Sequence, residues 1–99
     1  MSKGAIQGTK NIPATPTDLA TLFGLTAGTM FKGYYSYPEA NSGNVTEAAT
    51  IDGDDTIVAP GCRSPDYNAV DLSTISISGT ITDEIVVKGE GVEKHNPFG

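Results

Sequence analysis

Asp52-Gly53-Asp54-Asp55 sets three carboxylates within four residues, a density that suits a hard cation, because calcium takes oxygen ligands from closely spaced acids. The EF-hand spacing with its distant glutamate is absent. Asp-Gly between short apolar runs is also a hairpin signal, so the stretch reads as a turn whose acids face water. Cys62 and His95 are the only cysteine and histidine, and together they form the one available pairing of a thiol nucleophile with an imidazole base. Their surroundings resemble no cysteine-protease signature, and Cys62, following Pro60-Gly61, reads as a small, partly buried apolar residue. The 12 acidic residues leave room for a glycosidase-like carboxylate pair, yet such a pair needs a pocket that a sheet of this size seldom encloses. No glycine-rich loop of the Walker or dinucleotide type is present. The expectation is a protein that is not an enzyme and takes no metal and no cofactor.

The remaining candidates are side chains suited to recognition. In "MFKGYYSY", Phe31, Tyr35 and Tyr37 share one parity and Tyr34 the other, so a strand here is aromatic on both faces. One face belongs to the core. The other is either wet or covered by a partner, since Tyr is enriched at interfaces. Tyr67 lies between Asp66 and Asn68, so the four tyrosines with these polar neighbours also suit stacking and hydrogen bonding to a ligand such as a carbohydrate. Ile6, Ile12 and Phe98 are isolated apolar residues in polar terminal segments, which marks them as anchors. The expected partner-binding set is Ile6, Ile12, Tyr34, Tyr35, Tyr37, Tyr67 and Phe98.

The elements that must position these residues are strands. Residues 1–14 carry Gly4, Gly8 and Pro13 among scattered apolar residues and fit neither a helical nor a strand period, which suggests an extended N-terminal arm. Thr15-Pro16-Thr17-Asp18 reads as a helix start, with Thr15 as cap, Pro16 at the first helical position and Asp18 as the acid of a capping box. Leu19, Leu22 and Phe23 then share a face and Gly24 stops the helix, giving a short helix at 16–23. Strands are expected at about 46–51 and 56–59, joined as a hairpin, followed by a long loop at 60–69. Residues 73–87, "STISISGTITDEIVV", show period two: Ile75, Ile77, Ile81, Ile85 and Val87 on one face, Ser76, Ser78, Thr80 and Thr82 on the other. The run exceeds the usual strand length, so a bulge or turn near Gly79 or 82–84 is expected to split it into two paired strands. Residues 93–99 form a polar C-terminal tail. The predicted organisation is an arm at 1–14, a β-rich domain at 15–92 and a tail at 93–99.

Length and charge narrow the class further. The chain has 99 residues, enough for one domain and one modest core. A formal charge of −6 with only six Lys and Arg, all scattered, argues against nucleic acid and anionic lipid as partners. No apolar run approaches a bilayer span, and the N-terminus lacks the apolar stretch of a secretory signal, so synthesis in a host cytoplasm without membrane insertion is expected. With one cysteine there is no internal disulfide, and small domains lacking staples commonly turn to oligomerisation. The expected fold is all-β, mainly antiparallel, a small sandwich or barrel with one short helix and extended arms.

In composition and layout the chain resembles the decoration or cement proteins and other minor structural proteins of tailed-phage particles, with its small size, acidity, strand content and Gly/Pro/Thr-rich arm. The likeness spans the chain in layout and rests on no motif, so it carries over no site residue. It implies a non-enzymatic structural protein of a virion whose partners are other protein subunits, as a homo-oligomer or on a major lattice protein. The other reading is the ligand-recognition module built on the tyrosines. A surface of short hydroxyl side chains suits the first, because such groups lose little rotamer entropy on burial.

Overall fold

The computed structural model describes residues 2–26, 28–49 and 55–92. Eight strands and one short helix follow in the order β1 (Ser2–Asn11), β2 (Thr17–Asp18), α1 (Leu19–Phe23), β3 (Met30–Ser36), β4 (Val45–Ala49), β5 (Asp55–Val58), β6 (Tyr67–Val70), β7 (Ile75–Ser78) and β8 (Glu84–Val92). They form two four-stranded sheets, the first ordered β1-β8-β3-β6 and the second β2-β7-β4-β5. Every pairing is antiparallel, which gives the expected sandwich-like all-β fold.

Alternation along the strands sets the layers. Phe31, Tyr35, Ile85 and Val87 of the first sheet and Val45, Ile75 and Ile77 of the second are buried, and Leu19 of α1, Leu72 of a 3-10 turn, Ile12 and Tyr37 complete the core. Because side chains alternate across a strand, the residues between these face outward. On β3 and β8 the inward row contains two glycines in direct register, Gly33 opposite Gly89. A Cβ on Gly89 would sit on the Lys32 carbonyl oxygen and 2.7 Å from Phe31 Cε1, so the bare backbone there is what admits the Phe31 ring.

Several local expectations are corrected. Residues 2–11 are strand β1, zipped onto β8 from Ser2↔Val92 to Asn11↔Glu84. The helix begins at Leu19, because Thr17 and Asp18 pair with Ile77 and Ser76 of β7 and stay extended. Its cap is therefore Asp18, which accepts from the Thr21 amide at 2.9 Å, and not Thr15. The hairpin of β4 and β5 holds, from Val45↔Val58 to Ala48↔Asp55; of its expected turn, Asp52 to Asp55, the last residue is the first of β5 and the rest lies outside the described residues. The expected long loop ends in strand β6, and its first part is tied to β3: the Ser64 amide donates to the Tyr35 carbonyl and the Gly61 amide to the Tyr37 carbonyl, both at 2.8 Å.

The period-two run 73–87 does split, but its halves do not pair with each other. β7 joins β2 and β4 in the second sheet, and β8 joins β1 and β3 in the first. The turn at 79–83 is the crossing between layers, so Ile81, expected in the buried row, is 60% exposed there. Asp83, in the same turn, is 5% exposed. Its carboxylate accepts from the Ser42 amide at 2.8 Å and the Gly43 amide at 3.0 Å, and its carbonyl accepts from the Ile12 amide at 2.9 Å. Those three amides belong to two other connections, so one residue gathers three loops.

Candidate functional site

Of the expected partner-binding residues, the structure places Ile12, Tyr35 and Tyr37 in the chain's own core at 1% exposure each. Ile12, expected as an anchor, and Tyr35 and Tyr37, expected to bind a partner, are core residues instead, because the return of the chain after β1 and the inward parity of β3 bury them. Tyr35 packs edge-on against Tyr37, with ring centroids 6.1 Å apart, and stacks on half-buried Tyr67 at 6.3 Å. The Tyr37 hydroxyl donates to Glu47 Oε2 at 2.6 Å. Glu47 is opposite Ile77 in register and so points inward from β4, a polar partner that the sequence reading passed over although its parity matches Val45. Burial first, and then for Tyr37 the hydrogen bond to Glu47, push the Tyr35 and Tyr37 phenols well above their ordinary pKa. The tyrosines thus form an internal cluster, and no coplanar row of them faces out.

Tyr34 stands alone on the outer face of the first sheet, half-buried beneath Arg63, whose guanidinium carbon lies 4.1 Å from the ring centroid. Arg63 in turn pairs with Asp66. Around this stack the same face carries Lys88 opposite Tyr34 and Glu90 opposite Lys32. It is a charged, solvated surface. Ile6 is half-buried on β1, and Phe98 lies outside the described residues.

Of the residues singled out for chemistry, Cys62 and Asp55 fall among the described residues. Cys62 is exposed rather than partly buried, and its possible partner His95 lies outside the described residues. Among the described residues no group of three or more His, Cys, Asp and Glu could hold a metal ion, and no helix is long and apolar enough to cross a membrane.

The outer face of the second sheet differs from that of the first. In register, Ser78, Thr46 and Ile57 form one row, and Asp18, Ser76, Ala48 and Asp55 the next. Both acids stand at the ends of their row. Between them the surface is short hydroxyls, one methyl and Ile57, which is 61% exposed. This includes the Ser76 and Ser78 half of the hydroxyl face read from sequence. Ile57 was missed because its outward parity depends on the hairpin register.

A cleft of about 390 Å³ lies under β1, where α1 and the following loop approach the first sheet; it is walled by Ile6, Val87, Phe23 and Leu25, with Lys10 at its border. It is concave, with apolar walls and the polar side chains of Gln7, Thr26 and Thr29 among its lining, the mixed form usual for a binding site. No protein-family model matches the chain, and no curated protein and no solved structure is detectably similar to it.

Proposed function

We propose that the chain is a non-enzymatic structural assembly protein that binds neighbouring protein subunits through the outer face of its second sheet. The observation that carries this is the contrast between the two outer faces. Lys32, Lys88, Glu90 and Arg63 stud the first, whereas the second presents Thr46, Ala48, Ser76, Ser78 and a largely exposed Ile57 with acids only at its ends. Interface centres are depleted of charge, and short side chains surrender little entropy when covered. A net charge of −6 keeps free copies apart until that face is engaged. A minor component of a virion, in the manner of phage decoration or cement proteins, is the setting that this layout suits. The internal placement of Tyr35 and Tyr37 speaks against a tyrosine-built ligand surface.

The test is the solution mass of the purified chain by sedimentation equilibrium at tens of micromolar, beside Ile57→Asp. The expected result is a defined oligomer that the substitution returns to monomer with its strand signal intact. A wild-type chain that is monomeric throughout would remove self-assembly from the proposal.

A further inference from the structure

A second docking element lies on the first sheet, where the edge of β1 meets the cleft. Among the described residues β1 pairs with β8 alone and ends the sheet, and Ala5 and residues 7–11 are exposed. Ten residues of strand therefore offer one row of main-chain donors and acceptors without a strand partner. An open edge of this length is a template for an added strand.

The inward positions of β1 are set by register: Ile6 opposes Gly89, Gly8 opposes Val87 and Lys10 opposes Ile85. Ile6 also packs against the rim of the core, and all three positions line the cleft. Gly8 leaves it open, since no atom lies within 4 Å of where its Cβ would be. Lys10 is the sole charged residue lining it among those described. An added strand would place alternate side chains over this space, which is how strand addition gains specificity.

A second copy of the chain is a poor occupant. β1 carries no acidic residue from Ser2 to Asn11, so a copy paired edge to edge offers Lys10 no opposite charge in any register, whereas an opposite-charge cross-strand pair is stabilising. We infer that β1 accepts an extended segment of a different protein, added antiparallel, with an acidic residue opposite Lys10 and, two residues on, a large apolar side chain over Gly8 that fills the cleft. The recognised pattern is acid-x-apolar.

The probe is the synthetic peptide acetyl-Thr-Glu-Thr-Phe-Thr-Val-amide, titrated into the full chain while backbone amide shifts are followed by NMR. The expected result is shifts and slowed hydrogen exchange at Ala5 to Lys10. Replacing the peptide Glu by Lys weakens binding about fivefold, replacing its Phe by Ala weakens it further, and Lys10→Glu in the protein inverts the charge preference. Ile57→Asp leaves the binding unchanged, which separates this site from the face of the second sheet. The inference is overturned by the absence of shifts on β1 at millimolar peptide, by shifts confined to β2, β5 or β6, or by indifference to the Lys10 charge. Protection of β1 that grows with protein concentration alone would assign the edge to a second copy and overturn it equally.

Discussion

The Asp83 carboxylate sits where its charge is solvated by protein. The Ser42 amide first, and the Gly43 amide and Ser42 hydroxyl beside it, hold its pKa below the ordinary carboxylate value. A carboxyl lowered on folding stabilises the fold fully above its unfolded pKa, and that contribution is lost as pH falls through the folded one. From about pH 4 downward, the wild-type thermal midpoint therefore falls more steeply than that of Asp83→Asn, which lacks this contribution but keeps that of Asp18, also lowered by its bonds from Thr21; a series of melts against pH checks this. Tyr37 works in the opposite direction. Its pKa is raised, so its contribution is present below about pH 10 and is lost as pH rises toward the folded value. Phenolate absorbance from Tyr35 and Tyr37 is expected to appear together with loss of the strand signal, and Tyr37→Phe, which removes the donor to Glu47, is expected to cost about 1–2 kcal/mol in denaturant melts.

Among the elements, β3 and β8 depend on close approach at Gly33 and Gly89. Gly89→Ala would force the Phe31 ring and the Lys32 carbonyl apart, and an overpacked core position of this kind costs about 3 kcal/mol; a urea midpoint compared with that of an Asp18→Ala variant, where loss of a helix cap costs about 1 kcal/mol, gives the ranking. Parity in the sequence sufficed to place Phe31, Tyr35 and Tyr37 on one side and Ile75, Ile77, Ile85 and Val87 in the core, because period two reports burial directly. It could not tell which sheet a strand joins. β7 and β8 share one continuous pattern, yet they lie in different layers, since alternation is the same for a strand that continues and one that crosses. α1 was misjudged at its start for a related reason: the local capping signals of Thr15 and Pro16 yielded to the pairing of Thr17 with Ile77, a contact sixty residues away. The candidate face was legible as hydroxyls, whereas Ile57 and the cleft required the hairpin register and the docking of α1.

For the molecule as a whole, the N-terminal segment decides whether the sandwich closes. Read as an arm, residues 1–14 would be dispensable for folding and needed only for assembly. In the structure β1 covers one side of β8, Ile12 is 1% exposed in the core, and the Pro13 carbonyl accepts from the Gly79 amide at 2.9 Å at the layer crossing. Truncating Ile12 to Ala alone is expected to cost about 2–5 kcal/mol, which a domain with a total stability of about 5–15 kcal/mol can survive. Deleting residues 1–14 removes that side chain, the whole strand and the two main-chain bonds that hold the turn at 79–83, and the sum exceeds what the remaining core supplies. The deleted chain is expected to lose its far-UV strand signal and its cooperative urea transition while Ile12→Ala keeps both. A truncated chain that melts cooperatively with the wild-type spectrum would return β1 to the status of an arm, and strand addition would then proceed by its displacement from β8 instead of by extension of its open edge.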